Sequence, residues 1–344
     1  MRREGEGSLE GGAVNAAQLV APGRMELSAA PAPSPGDGEA LVRAHRASIC
    51  GSDIHIVYDG YYLGEYPAPP GFSGHEGVGV VEESRSAGLS EGDWVLAVPA
   101  PPVARCFAEQ HVVAAGSLIK LPDGGDPNRL LMAQQLGTVV YAFRRHWPAS
   151  MSAEGLTVAI CGAGSAGLFF TQLARRAGFA KVIVADRAEL RLQIAKEFGA
   201  DVVVEVPGQS FLEAVMDETD GQGADLVIEA VGYDATRIEC LEAVRYQGRV
   251  GYFGFPEHPS GLSTWSFNAA WRKTPTIEIV TGTQREEGLR SFHEAVDLIY
   301  SGQVNVDPFL APVYPLDHIQ DAFDAAREQR GGKITVQVAS SDLT

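Results

Sequence analysis

Cys50-Gly51-Ser52-Asp53-Ile54-His55, followed by Gly74-His75-Glu76, puts a thiol, an imidazole and a carboxylate into two short segments. These are the side chains Zn2+ accepts most readily, and three of them leave a fourth position open for a reacting molecule. Ser52 and His55 add a hydroxyl and a second imidazole able to pass a proton along. Downstream, Gly162-Ala163-Gly164-Ser165-Ala166-Gly167 has the spacing of a loop that cradles a dinucleotide's phosphates. Singly these are weak signals, because a lone cysteine is usually an inert core thiol. The set is stronger, because each member follows glycine-rich, turn-like sequence at the edge of a strand. A metal that polarises an oxygen, a proton path and a hydride carrier together describe alcohol–carbonyl chemistry.

Two kinds of segment must position these residues. From Val14 to about Pro122 the pattern is β-rich, with strands expected at 40–44, 77–82 and 93–98, separated by turn signals such as Pro35-Gly36-Asp37-Gly38. The apolar spacing of 128–145 predicts a helix. The character then changes. Thr157-Val158-Ala159-Ile160-Cys161 is a continuously apolar strand suited to a sheet covered on both faces. The glycine loop and a helix to about Ala177 follow, then a strand at 181–186, a helix at 189–198, and strands at 202–204, 224–228 and 248–253. Repeated β-then-α units predict a parallel, doubly wound sheet, so the fold class is α/β. Helices are expected at 285–302 and 315–328 and a last strand at 333–338. This tail is too short to fold alone and is expected to return to the first domain.

The chain has 344 residues and a formal charge of −17, with 45% hydrophobic residues. That length predicts two domains. The acidic balance argues against a nucleic-acid or anionic-membrane surface, both being polyanions. No apolar run reaches the roughly 18–20 residues needed to span a bilayer. Residues 1–12 are charged and Gly-rich, and they read as a disordered extension with neither a secretory nor a transit signal. A cytoplasmic protein is expected. The four cysteines, Cys50, Cys106, Cys161 and Cys240, form no CxxC pair, and only Cys50 has polar, reactive neighbours.

The glycine loop gains specificity from its context, between a buried strand and a helix, with Asp186 ending the next strand roughly 20 residues on. Gly162 permits a tight turn, Gly164 a close approach of the pyrophosphate, and Gly167 close packing of helix on strand. Asp186 can accept from the adenosine ribose hydroxyls and would repel a 2′-phosphate, favouring NAD over NADP. Arg187 and Arg191 temper that preference. Ser165, Ala166, Arg191 and Val231 complete the expected nucleotide set.

These motifs, with Gly92-Asp93-Trp94-Val95 and Gly332-Lys333-Ile334-Thr335-Val336, resemble the medium-chain dehydrogenase/reductase superfamily, of the zinc alcohol and polyol dehydrogenase type. The resemblance runs from about Val14 to Val338. It implies a GroES-like β-barrel catalytic domain (13–148 with 284–344), a Rossmann domain (149–283) and an active site between them. It implies further that Cys50 and His75 are catalytic zinc ligands, with Glu76 a direct ligand or a near neighbour. Ser52 would contact the alkoxide and start a relay running through the nicotinamide ribose to His55. Asp53 would support His75. Thr138 would lie beside the nicotinamide, and Lys333 would reach the pyrophosphate.

The chain departs from that pattern twice. The segment 99–106 is short and holds one cysteine where relatives carry a four-cysteine lobe, so one catalytic zinc and no structural zinc are expected. Gln134, a poor neutral ligand, stands where relatives place Cys or Glu. Cys50, His75 and Glu76 still form a three-ligand set. The resulting reading is NAD-dependent, zinc-assisted interconversion of a secondary alcohol (polyol, sugar, cyclitol or amino alcohol) and a ketone. The alternatives are a zinc-independent NAD(P)-dependent reductase of the same superfamily and a non-catalytic NAD-binding regulatory protein. A homodimer or homotetramer is a family expectation. Tyr58, Tyr61, Tyr62, Tyr66 and Phe72 either line a substrate cleft or pack an ordinary loop. Trp265, Phe267 and Trp271 border either the cleft or a subunit contact. The other six histidines read as structural.

Overall fold

The computed structural model describes residues 12–61, 63–259 and 261–339. The extension expected at 1–12 lies, but for its last residue, outside them. The chain forms two compact units, one of residues 1–131 with 312–344 and one of residues 132–311.

The first unit opens with an antiparallel pair, β1 (Ala13–Ala21) and β2 (Arg24–Pro31). The strands β3 (Glu39–Ser48), β4 (Gly77–Ser84), β5 (Trp94–Ala97), β6 (Gln110–Ala114) and β7 (Leu118–Lys120) then build one antiparallel sheet. Burial along β3 alternates residue by residue over most of its length, as a pleated strand with one face on a core requires. Between β3 and β4 the chain makes α1 (Gly51–Asp59), and after β7 a single turn, α2 (Pro127–Leu130).

The second unit begins with α3 (Ala133–His146). The helix expected at 128–145 is therefore split near Leu131–Met132. Next come β8 (Thr157–Cys161), α4 (Ser165–Ala177), β9 (Lys181–Asp186), α5 (Glu189–Glu197), β10 (Val202–Glu205), α6 (Phe211–Asp217), β11 (Ala224–Glu229), α7 (Asp234–Ala243), β12 (Val244–Tyr252), α8 (Phe267–Lys273), β13 (Thr276–Ile279) and α9 (Arg290–Tyr300). The six strands are all parallel, in the order β10-β9-β8-β11-β12-β13. Strand order reverses between β8 and β11. In open sheets of this type ligands bind in the crevice beyond the strand ends at such a point.

The helices α3 and α9 belong to this second unit, not to the first as the expected boundaries at 148 and 284 had it. The reason is packing. A Cβ on Gly137 would lie 2.3 Å from the Phe292 ring, so only glycine lets the two helices meet there. Arg249 of β12 donates to the carbonyls of Arg145 and His146, satisfying the end of α3 from the sheet.

The tail adds β14 (Val313–Pro315), α10 (Ile319–Arg327) and β15 (Thr335–Gln337). β15 runs antiparallel to β3 with Thr335 opposite Ser48, so the tail completes the first unit's sheet. Phe323 of α10 meets Phe107 edge to face at 5.7 Å inside that unit's core.

Two buried histidines couple stability to pH. His146 is 1% exposed and stacks on Phe170. Burial first, and the Arg249 and Arg145 cations second, push its pKa down to about 3. Burial pushes His111 down to about 4. Both are neutral in the native state, whereas in the unfolded chain they protonate below about 6.5. Their contribution is therefore complete above 6.5 and is lost as pH falls toward 4 and then 3. At pH 5 each costs about 2 kcal/mol of stability. Urea denaturation at pH 7 and pH 5 should show His146→Phe losing about 2 kcal/mol less than the parent over that interval, whatever the substitution does at pH 7.

Candidate active site

The metal-type residues converge in the first unit. Cys50 is the N-cap of α1, and β3 leads into it. His75 and Glu76 lie on the loop entering β4, where Cys106 N–H donates to the Gly74 carbonyl and Ser48 N–H to that of Glu76. One ligand atom from each of Cys50, His75 and Glu76 lies within 4.8 Å of the others.

Asp53 organises this cluster. Its carboxylate is fully buried. Oδ2 accepts from the Cys50 backbone N–H at 2.9 Å. Oδ1 accepts from Ser73 Oγ at 2.5 Å and faces His75 Nδ1 at 3.2 Å. With Nδ1 turned to Asp53, His75 offers Nε2 to the cluster, the carboxylate–histidine arrangement that supports a metal-bound imidazole. Burial depresses the His75 imidazolium, but Asp53 and then Cys50 outweigh it and carry the pKa well above the usual value.

Glu76, 1% exposed, divides its two oxygens. Oε2 accepts from Ser48 Oγ and pairs with Lys333 Nζ at 2.7 Å. Oε1 is buried and has no hydrogen-bond partner among the described residues. An orphaned buried carboxylate oxygen beside a thiol and an imidazole is costly in itself and fits a cation. The donor set, one S, one N and one O, is a zinc set. Lys333 is 4% exposed. Burial lowers its pKa, but Glu76 and Cys50 more than compensate, so the ammonium is held charged.

Ser52 and His55 stand one turn apart on the same face of α1. His55 Nδ1 pairs with Asp59 Oδ2 at 2.7 Å, and Tyr61 meets the His55 ring edge-on at 5.9 Å. Tyr58 is tied to Asp324 at 2.7 Å under the Arg327 guanidinium, and Phe72 is core, so both act in packing. Tyr66 is exposed, and Tyr62 lies outside the described residues. Cys106 is buried, and its thiol is pushed up to about 12 by that burial.

The nucleotide-type residues gather in the second unit at the β8/β11 reversal. Gly162 has φ +102°, a left-handed conformation open to glycine. A Cβ there would lie 2.8 Å from Val231 Cγ2, which places Val231 against the loop. Gly164 caps α4, and the side of it where a Cβ would point is open. Ser165 and Ala166 form the first turn of α4, whose free N–H groups suit a phosphate. Gly167 would put a Cβ 1.8 Å from the Gly162 carbonyl oxygen. Asp186 Oδ2 accepts from Ala163 N–H at 2.6 Å and Oδ1 from Ala188 N–H at 2.9 Å, tying the loop to the end of β9. Arg191 stands on the first turn of α5. Glu229 is fully buried, and its Oε1 accepts from the N–H groups of Val231 and Gly232 and from Thr236 Oγ1.

Thr138 and Gln134 both lie on α3. Thr138 Oγ1 donates to the Gln135 carbonyl, and the buried Gln134 Nε2 has no hydrogen-bond partner among the described residues. A second potential cation cluster, Asp234, Glu257 and His258, is compromised because Asp234 already serves Arg237 and the Thr264 N–H. Trp265, Phe267 and Trp271 are exposed on the second unit. Among the described residues no helix is long and apolar enough to cross a membrane.

Sequence reasoning missed α1 itself, and with it Asp59, and it missed Ser48. An acidic residue three positions after Cys50 was the available signal for a helix start. Nothing in the sequence marks Ser48, which reaches Glu76 only through strand pairing.

Comparison with known proteins agrees with this geometry. Residues 36–123 match the alcohol dehydrogenase GroES-like domain and residues 166–301 the zinc-binding dehydrogenase domain. The chain is 30% identical over 336 residues to L-threonine 3-dehydrogenase of Pyrococcus furiosus, covering 90% of this chain and 94% of the relative. It is 28% identical over 334 residues to the Bacillus subtilis enzyme of the same name, covering 90% and 93%. Among solved structures it superposes on alcohol dehydrogenase TADH from Thermus sp. ATN1 with a TM-score of 0.80 at 25% identity, covering 94% of this chain and all of that one. The first unit is thus GroES-like and the second Rossmann-like, and the chain belongs to the zinc-type medium-chain dehydrogenase/reductase family.

Proposed function

We propose that this oxidoreductase interconverts a secondary alcohol and its ketone with NAD, using one metal ion held by Cys50, His75 and Glu76. The observation that carries the reading is the convergence of those three donors with a buried, unpartnered Glu76 Oε1. Zinc bound there would supply Lewis-acid polarisation of the substrate oxygen.

The chain's own residues do the rest. Asp53 fixes the position of Cys50 through its N–H and the orientation of His75 through Nδ1. Ser52 Oγ, on the first turn of α1, takes the alcohol proton and passes it toward His55. Asp59 occupies His55 Nδ1, so Nε2 is the nitrogen that moves the proton. Asp186, already ordering the glycine loop, keeps lone pairs for the ribose hydroxyls, and its negative charge selects NAD over NADP.

The named activity of the relatives makes vicinal amino alcohols the first substrates to try, with polyols, sugars and cyclitols beside them. The test is a zinc count on the purified protein together with NADH formation across that panel. The expected result is about one zinc per chain, turnover of a secondary alcohol, and kcat/KM at least tenfold higher with NAD than with NADP. Turnover by a protein that retains no metal would sink the zinc-assisted reading and favour the metal-free reductase.

A further inference from the structure

Lys333 is a charged side chain in the interior of the first unit, and its ammonium lies 2.7 Å from the carboxylate of a metal-type ligand. It is built in rather than incidental. Thr335 pairs with Ser48 across β15 and β3, and Ile49 N–H donates to the Ile334 carbonyl. This register delivers Lys333 and the Ser48 hydroxyl to the same oxygen, Oε2 of Glu76. The other oxygen, Oε1, is left buried without a partner.

We propose that Lys333, with Ser48, acts as an internal counter-cation that withholds Glu76 Oε2 from the metal, limits Glu76 to one oxygen, and weakens metal retention. The inference rests on the metal reading above. A unit positive charge beside a divalent ion repels it strongly in a low-dielectric interior. Lys333 also offsets the Glu76 charge through Oε2 when no metal is present, so an entering cation gains less from that ligand. With Cys50 and Glu76 each bringing one negative charge, the ion alone would be neutralised. Asp53, buried against His75, adds a third negative charge, and Lys333 offsets it. Lys333 is thus a positioning residue for Glu76.

The experiment measures zinc affinity by competition with a chelating indicator at pH 8, with zinc alone and no substrate, for the parent, Lys333→Met, Lys333→Arg, Glu76→Gln and the double variant Lys333→Met/Glu76→Gln. Lys333→Met should bind zinc at least tenfold more tightly. Lys333→Arg, which keeps the charge, should stay within about threefold of the parent. Measured against Glu76→Gln alone, the gain should shrink in the double variant, because the part that acts through Glu76 is removed and only the direct charge repulsion remains. If Lys333→Met folds only with zinc present, it is purified loaded and its zinc release to excess chelator is timed, with slower release than the parent expected. Unchanged or weaker binding, or unchanged or faster release, overturns the counter-cation role. A parent protein that binds no zinc overturns the metal reading beneath it, and that outcome is visible before any variant is made.

Discussion

Cys50→Ala should lose at least a thousandfold in turnover while binding NAD within about twofold of the parent. The size follows from the three-donor set. Removing the thiolate leaves His75 and Glu76, and a metal held by two protein ligands exchanges readily. Several kcal/mol of charge stabilisation at the substrate oxygen then goes with it. The selectivity follows from the architecture. The glycine loop, Asp186 and Val231 belong to the second unit and are held by its own hydrogen bonds, from Ala163 and Ala188 to Asp186 and from Val231 to Glu229, whereas Cys50 belongs to the first. Folding should be nearly untouched, because Cys50 is half-buried and anchors α1 through its backbone N–H, which alanine keeps. The measurements are zinc content, NAD affinity by calorimetry, melting temperature and steady-state turnover. A fully active Cys50→Ala protein removes the metal from the mechanism and returns the choice to the metal-free reductase.

Much of this arrangement is legible in the sequence itself. Buried parallel strands announce themselves as unbroken apolar runs, and the expected spans at 157–161 and 181–186 coincide with β8 and β9. Half-buried strands with clean alternation, such as β3, were also legible, though short of their full length. Convergence of Cys50 with His75 and Glu76 was an expectation from residue types, and the β3–α1 and loop–β4 geometry supplies its distances. Other features depend on contacts remote in sequence. Lys333 and Ser48 meet on Glu76 only because β15 returns to β3, and local sequence does not encode that register. The placement of α3 depends on Gly137 beneath Phe292 and on Arg249 capping, a side-chain fit invisible to periodicity. The Asp59 partner of His55 escaped because the apolar pattern of 51–59 assigns no helix there, and i,i+4 pairing has meaning only on a helix.

The glycine loop offers a second large effect and a way to separate fold from ligand. At Gly167 an added Cβ meets the Gly162 carbonyl oxygen at 1.8 Å, backbone against helix, with no flexible side chain to yield. Gly167→Ala must therefore push α4 off β8 or distort the loop. The expected cost is about 3 kcal/mol or more of stability, at the upper end of overpacking effects. NAD affinity should fall at least a hundredfold, since the N–H groups at the start of α4 no longer face the phosphates. At Gly164 the added Cβ meets no protein atom within 4 Å. Its φ of −61° is open to any residue. Gly164→Ala should accordingly melt within a degree or two of the parent, yet bind NAD at least tenfold more weakly, because the methyl group occupies the approach reserved for the pyrophosphate. Paired melting and calorimetry on the two variants give opposite signatures: stability and affinity lost together at Gly167, affinity alone at Gly164. Unchanged NAD affinity in Gly164→Ala would show that no pyrophosphate comes close to this loop, and the nucleotide assignment would fall even with the metal site intact.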